Sequence, residues 1–579
     1  MNAIDPQAQE NAAKWLAGSF DKNTKETILT MQRENIAEFN DAFYRTLEFG
    51  TGGLRGIMGV GTNRMNKYVV AMATQGFANY IRQNNADIAT PQIAVSFDNR
   101  NHSEEFAHIV ADVMSANGIK VYIFDNLRPT PELSFAIRHL HCHAGVMVTA
   151  SHNPKEYNGY KAYWQDGGQL VPPHDKGVIT EVNKIEDISQ VKLIRNEALV
   201  EVIGEEVDQA FLQEVKKNAL NTDLKNKDLK IIYTPLHGTG TYLVPRALKE
   251  LGFTNICPVK EQSVPDGNFP TCKSPNPEEQ AAMDMGIAMA KKENATLLMA
   301  TDPDADRVGI AVKDPQGDFL LLNGNQTLSI ICYYVLKQRK ERAMIKNNNF
   351  IVKTIVTSEL VKAIGTHFGV ETFDVLTGFK WIADKIRTEE PDKKFICGGE
   401  ESFGYAIGDF VRDKDGVGAC CMIAEIAAWA KDNGKTVYDI LTDIYRQFGY
   451  YREGLVSVVR KGQQGATEIK AMMEQYRSNP PKNIHNSPVV MIKDYQLLEQ
   501  HDLTTGQKTP LLLPKSNVLQ FFTANGNKVT VRPSGTEPKI KFYFSVVLPF
   551  KENDTEPELR KQADQEIQNL IVDMKIDHN

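Results

Sequence analysis

Short apolar runs alternate with helical stretches along most of this chain, and many of the runs end in polar loops. Residues 93–97 (IAVSF), 121–124 and 144–149 (AGVMVT) read as buried strands, with amphipathic helices at 103–117 and 131–140 between them. A β-α-β-α-β order makes successive strands parallel and covers a sheet on both faces, because each crossover is a helix. The order recurs with strands at 229–233, 256–259 and 296–300 and helices at 242–251 and 277–293. It recurs again with strands at 350–356, 371–375 and 394–397, a helix at 358–368 and an apolar helix at 417–430. Before the first unit, 11–17 and 24–43 read as helices; between residues 168 and 204 the chain is polar. From about residue 451 the pattern changes. Strands at 454–459, 489–492, 518–523, 528–532 and 540–547, a hairpin turn at Asn525 and Gly526, and helices at 467–476 and 556–574 predict an antiparallel α+β segment. The predicted fold is α/β with four domains. Three are doubly wound units with mainly parallel mixed sheets, at 1–204, 205–321 and 322–450, and an α+β domain with an antiparallel sheet follows at 451–579.

A chain of 579 residues has room for about four domains. Its net charge of -7 argues against a nucleic-acid binder, and it means that an anionic ligand must be drawn by a local cluster of cations. The first twenty residues lack the basic and apolar regions of a secretory signal, and no apolar run is long enough to span a bilayer. Seven scattered cysteines without a CxxC pair fit a reducing compartment. A cytoplasmic protein with no membrane partner is therefore expected.

The first unit delivers its third strand into TASHNPKEYNGYK, residues 149–161. Pro154 lacks an N–H and restricts Asn153, so the strand must open into a loop at Ser151, His152 and Asn153. Asn158 and Gly159 are expected to turn the chain again and return Lys161 toward the serine. A hydroxyl at the C-terminal end of a strand is where open α/β sheets place ligands, and a returning cation suits an anion. Upstream, residues 49–66 (FGTGGLRGIMGVGTNRMN) carry six glycines, which disfavours a helix or an ordinary strand. GxGxxG is not met, since the third required position is Arg55. A glycine loop presenting Arg55 to an anion and a plain flexible turn both remain open here. His139, His141 and His143 straddle a helix end and a strand start, where side chains diverge, which disfavours zinc.

The second unit ends its strand in TDPDADR, residues 301–307. Asp302, Asp304 and Asp306 alternate, and a curved loop can bring their carboxylates together. Converging carboxylates need a cation between them, and an all-oxygen donor set favours Mg²⁺. Arg307 adjoins them and suits phosphate. The EF-hand ligand pattern is absent. In the third unit a strand runs into GGEESFGY, where Glu400 and Ser402 could hydrogen-bond sugar hydroxyls, and Arg412 and Lys414 follow in DFVRDKDG. Gly434-Lys435-Thr436 is no P-loop, because Trp429 stands where the loop needs glycine. In the last segment RPSGTE, residues 532–537, could cradle a phosphate or simply join two strands.

Together TASHNP, DPDADR, GEESFG and RPSGTEPK resemble the α-D-phosphohexomutase family, the phosphoglucomutase/phosphomannomutase enzymes, over nearly the whole chain. FGTGGLRG and GDFVRDKDG most resemble its phosphoglucomutase and phosphopentomutase branch. The resemblance implies four domains around a central cleft and one Mg²⁺ per subunit. Ser151 would be the phosphoserine and a metal ligand with Asp302, Asp304 and Asp306. Arg55, Lys161 and Arg307 would surround the transferring phosphoryl group, with Lys161 as general acid/base. His152, Lys353, Gly378, Lys380, Glu400, Ser402 and Lys414 would bind substrate, and Arg532, Ser534, Gly535 and Thr536 would hold the other phosphate. At Phe379 the chain departs from members that carry histidine. The implied reaction interconverts sugar 1- and 6-phosphates, first of all those of glucose, through a glucose 1,6-bisphosphate intermediate, in a monomer or weak homodimer. Mannose or pentose phosphates, or synthesis of the bisphosphate itself, are alternatives within the same chemistry. A metal-dependent sugar phosphatase and a silent sugar-phosphate-binding protein are alternatives outside it.

Overall fold

The computed structural model describes residues 3–50, 52–460, 462–534 and 539–576. The chain forms two compact units, Met1–Gly324 with Phe379–Gly434, and Asn325–Gly378 with Lys435–Asn579.

The first unit opens with three helices, Pro6–Ala17, Lys22–Glu34 and Ile36–Phe43. The long run predicted at 24–43 breaks at Asn35, whose side chain accepts from the Glu38 N–H at 3.1 Å and so caps the third helix.

Six strands follow: β1 Gly53–Ile57, β2 Gln92–Phe97, β3 Lys120–Phe124, β4 Ala144–Val148, β5 Tyr157–Trp164 and β6 Val200–Ile203. They lie in the order β1-β5-β4-β2-β3-β6, and β5 alone runs against the others. Every residue of β4 is buried, as a strand covered on both faces must be. Helices Lys67–Asn84, Ser103–Ala116 and Thr130–His139 supply the cover.

Three sequence expectations are corrected in this sheet. The glycine-rich stretch contains strand β1, which pairs with β5. Asn158 and Gly159 lie inside β5, and the turn comes earlier, at Lys155 and Glu156. Glycine is required at 159 because a Cβ there would stand 2.5 Å from the Thr149 carbonyl oxygen and 2.9 Å from that of Leu54. The polar stretch before residue 204 contains a helix, His174–Val182, and the edge strand β6.

The second sheet holds β7 Ile231–Thr234, β8 Ile256–Pro258, β9 Leu297–Thr301, β10 Val308–Lys313 and β11 Phe319–Leu322, in the order β11-β10-β9-β7-β8. Its plan repeats that of the first. The chain steps from β7 to β8, crosses to β9 on the other side of β7, and returns along antiparallel β10. The strand order reverses beside β2 in the first sheet and beside β7 in the second, and the crevice at such a reversal is where open α/β sheets take ligands. TASHNP joins β4 to β5, and DPDADR joins β9 to β10.

The third α/β region contributes to both units. β12 Asn349–Thr354 and β13 Glu371–Val375 pair in parallel in the second unit. β14 Lys394–Gly399 and β15 Tyr405–Ile407 pair antiparallel in the first, with GEESFG between them. The C-terminal region is antiparallel throughout: β16 Tyr450–Val459, β17 Asn483–Ile484, β18 Ser487–Asp494, β19 Glu499–Asp502, β20 Lys508–Pro510, β21 Leu519–Thr523, β22 Lys528–Pro533 and β23 Lys539–Leu548. The short strands β17, β19 and β20 carry too little apolar pattern to be read from sequence. Three α/β domains with mixed sheets and a C-terminal antiparallel-sheet domain thus make up the chain. No described helix is long and apolar enough to cross a membrane.

Candidate active site

Ser151 stands just past the end of β4 with φ +52, a left-handed conformation that costs an L-residue about 1–2 kcal/mol. Local hydrogen bonds hold it there. The Ser151 N–H donates to Thr149 Oγ1 at 2.8 Å, and that hydroxyl donates to Asp98 Oδ2 at 2.6 Å. Ser151 Oγ donates to Asp302 Oδ2 at 2.7 Å and lies 3.2 Å from His152 Nδ1. Burial, then the charges of Arg307 and Arg55, push the His152 imidazole down to about 2, so it is neutral at physiological pH.

The aspartate loop curls tightly. Asp302 Oδ1 accepts from the Asp306 N–H at 3.1 Å and the Arg307 N–H at 3.0 Å, which brings the three carboxylates within 4.8 Å of one another. Neighbouring elements brace it. The Thr130 N–H and hydroxyl donate to the Asp304 carbonyl and Oδ2 at 2.9 and 2.7 Å, and the Thr239 N–H donates to the Pro303 carbonyl at 2.8 Å. Lys161, carried on β5, reaches Asp304 at 2.6 Å and Asp306 at 3.0 Å, and Lys414 reaches Asp306 at 3.1 Å. Burial and repulsion from Asp306 and Asp304 hold the Asp302 carboxyl well above the usual range. Burial would raise Asp304 as well, but Lys161 outweighs it and holds Asp304 low.

Asp304 Oδ1 and Asp306 Oδ1 are buried and have no hydrogen-bond partner. Orphaned buried carboxylate oxygens are costly unless something binds them. Three converging carboxylates with such free oxygens and no sulfur or nitrogen donor fit a hard divalent ion of the Mg²⁺ class.

Arg307 pairs with Glu278 at 2.6 Å, and Arg55 donates to Asn153 Oδ1 at 3.3 Å from an exposed position on β1. The GEESFG loop is stitched beside the aspartates: the Val308 N–H donates to the Phe403 carbonyl at 3.0 Å, and Arg307 bridges to Gly404. Glu400 is 5% exposed and its side chain is hydrogen-bonded by Ser402. Burial pushes its carboxyl up to about 7 against the opposing charge of Lys414. Lys414 lies over the Phe379 ring at 5.4 Å.

Thus Ser151, His152, Arg55, Lys161, Asp302, Asp304, Asp306, Arg307, Glu400, Ser402 and Lys414 belong to the first unit, and the contacts above link them into one neighbourhood. Lys380, on helix Phe379–Glu389, lies over the Trp381 ring at 5.0 Å. Lys353, Gly378, Arg532 and Ser534 belong to the second unit. Lys353 is wholly buried there and paired with Asp374 at 2.7 Å and Glu359 at 3.1 Å. Arg532 is partly exposed at the end of β22; Gly535 and Thr536 lie outside the described residues.

Sequence reading missed Asp98, Arg100, Thr130 and Glu278. Asp98 and Arg100 directly follow the strand IAVSF, so their placement at a strand end was the available signal.

Fold and site define the class: an α/β protein that assembles a hydroxyl, a carboxylate cluster and several cations where two sheets reverse their strand order. Phosphoglucomutase/phosphomannomutase α/β/α domains I, II and III match residues 46–189, 209–317 and 323–448. A phosphoglucomutase of Staphylococcus haemolyticus is 37% identical over 87% of this chain and 91% of its own length. One of Staphylococcus saprophyticus is 38% identical over 92% and 96%. Among solved structures, parafusin, a phosphoglucomutase from Paramecium, covers 91% of this chain and 95% of its own at TM-score 0.69 and 19% identity. A phosphoglucomutase/phosphomannomutase family protein from Burkholderia thailandensis covers 92% and 98% at TM-score 0.66 and 18% identity. The chain belongs to the phosphoglucomutase/phosphomannomutase family.

Proposed function

We propose that this chain is a phosphoglucomutase, an intramolecular phosphotransferase that interconverts glucose 1-phosphate and glucose 6-phosphate through a phosphorylated Ser151. The observation that carries the reading is the 2.7 Å hydrogen bond from Ser151 Oγ to Asp302, inside a carboxylate cluster with two orphaned oxygens. The name of the Staphylococcus relatives supports glucose as the sugar.

In the forward direction the phosphoserine P–O bond breaks and the sugar's free hydroxyl takes the phosphoryl group, giving a bisphosphate. The Lys161 ammonium gives a proton to the departing Ser151 oxygen and, as the amine so formed, takes the proton of the attacking sugar hydroxyl. The bisphosphate reverses its orientation, the other phosphate passes to the Ser151 hydroxyl, and Lys161 repeats the exchange, giving a proton to the departing sugar oxygen and taking that of Ser151. Phosphoryl transfer of this kind depends on positioning and on neutralising charge. Arg55, Arg307 and Lys414 neutralise the equatorial oxygens, and Glu400 with Ser402 accepts sugar hydroxyl hydrogens. Asp302, Asp304, Asp306 and Ser151 would hold Mg²⁺, which supplies Lewis-acid charge neutralisation when bound. In the second unit, Arg532, Ser534, Gly535 and Thr536 are proposed to bind a phosphate. We place the domain boundaries at 204/205, 321/322 and 450/451.

The test is incubation with glucose 1-phosphate, Mg²⁺ and catalytic glucose 1,6-bisphosphate. Glucose 6-phosphate should accumulate without stoichiometric inorganic phosphate. Release of inorganic phosphate without glucose 6-phosphate would establish a phosphatase instead. A panel of mannose, ribose and deoxyribose 1-phosphates ranks the sugars.

A further inference from the structure

Arg100 contacts the main chain around Ser151 and not its hydroxyl. The guanidinium is completely buried, with 0% of the side chain exposed. Its Nη2 donates to the Ser151 carbonyl at 2.6 Å and to the Asn153 carbonyl; its Nη1 donates to the Pro154 carbonyl at 2.9 Å and the Tyr157 carbonyl at 3.0 Å. One planar group therefore holds three carbonyls of the loop that carries the serine and the first carbonyl of β5. Asp98 completes the arrangement: it lies 3.4 Å from Arg100 Nε, accepts from the Arg100 N–H at 3.0 Å, and takes the hydroxyls of Ser103 and Thr149 at 2.7 and 2.6 Å. Phe269 covers the guanidinium at 5.0 Å.

The loop needs such a partner. Its carbonyls face inward, Pro154 lacks an N–H, and Ser151 sits at φ +52. Buried carbonyls without donors would rearrange, and relaxing Ser151 to negative φ would turn its hydroxyl away from Asp302. Arginine fits because its donors form a rigid planar fork, whereas lysine offers a single rotating ammonium.

We propose that Arg100, oriented by Asp98, is a positioning residue that holds the left-handed Ser151 loop so that the hydroxyl, or its phosphoryl ester, is aligned for transfer. This rests on the assignment of Ser151 as the phosphoryl carrier. The experiment uses the full-length chain with Arg100→Lys and Arg100→Ala, glucose 1-phosphate, Mg²⁺ and glucose 1,6-bisphosphate. Wild-type Ser151 is checked separately by mass spectrometry for phosphate after incubation with the bisphosphate; an unphosphorylated, inactive wild type removes the serine assignment and the proposal with it. In Arg100→Lys, kcat should fall about 100-fold with KM within about threefold of wild type. Added guanidinium at sub-denaturing concentration should restore part of kcat to Arg100→Ala and none to Ser151→Ala. With an active wild type, a folded Arg100→Lys with kcat within threefold of it, a loss wholly in KM, or failure of both variants to fold would overturn the positioning role.

Discussion

Ser151 Oγ lies 2.7 Å from Asp302 Oδ2, although the two stand 151 positions apart in the chain. Each side chain sits in the loop that joins a parallel strand of its own sheet, β4 or β9, to the antiparallel strand that follows it. Phosphate on Ser151 would set two anions side by side, which demands a cation between them and explains why Lys161, Arg307 and Lys414 crowd the same place.

Ser151→Ala should abolish turnover, by about 10⁴-fold or more, because the proposed phosphoryl carrier is removed. The fold should survive: the loop's own hydrogen bonds run through Thr149 and Arg100, and the stability change should stay within about 1 kcal/mol. A coupled glucose 6-phosphate assay and thermal unfolding monitored by circular dichroism check both halves.

Removing divalent ions with EDTA should silence the wild type, and Mg²⁺ should restore it. Asp304→Asn should need at least about tenfold more Mg²⁺ for half-activation and regain only part of the rate. A Mg²⁺ titration of activity, alongside calorimetric Mg²⁺ binding, measures this. Superimposable titrations for the two proteins would count against the aspartate loop as the metal site.

Activity should rise with pH through the neutral range. Burial holds the Glu400 carboxyl near 7, so it is protonated below that pH and ionised above it, and the ionised form is the better acceptor for sugar hydroxyls. Glu400→Gln should lose this limb, and its kcat/KM at pH 8 should fall by about 10- to 100-fold. The pH profile of kcat/KM for the two proteins is the measurement.

Stability of the second unit should depend on Glu359. Its carboxylate pairs with two buried ammonium groups, Lys353 at 3.1 Å and Lys528 at 2.6 Å. Glu359→Gln leaves both lysines short of counter-charge and should cost about 3 kcal/mol. Burial alone would raise the Glu359 carboxyl, but Lys353 and Lys528 outweigh it and hold it well below the usual carboxylate range. A carboxyl depressed on folding contributes stability that is complete above its unfolded pKa, about 4.3, and is lost as pH falls through the folded value. The gap between wild type and variant should therefore be full at pH 7 and narrow below about pH 4, as read by urea unfolding.

Much of the chemistry was legible because its signals are local. Apolar strand, sharp loop and reactive residue types stand within a few positions of one another in TASHNP, DPDADR and GEESFG, and all three loops join a sheet strand to the antiparallel strand that follows it. Lys161 was expected to return toward the serine; its ammonium pairs with Asp304 and Asp306, and the turn that brings it back was misplaced. Gly159 reads as a turn residue by propensity, and only the close approach of β1 and β4 reveals that it is a strand glycine. Arg100 was illegible as a support of the Ser151 loop because its partners are carbonyl oxygens, which every residue possesses and no side-chain pattern advertises.

The sequence alone determined most of the longer strands and helices, the three strand-end motifs and the kinds of atoms available for chemistry, since periodicity, turn residues and side-chain chemistry are properties of short segments. Tertiary structure decided which of those atoms meet. Ser151 reaches Asp302, and Lys161 reaches Asp304 and Asp306, only because each sheet reverses its strand order and presents its loop at the same kind of crevice. It also decided which charges are spent inside the protein: Lys353 looks like any other strand-end lysine in sequence, and burial beside Asp374 and Glu359 gives it a counter-charge that no local pattern could have shown.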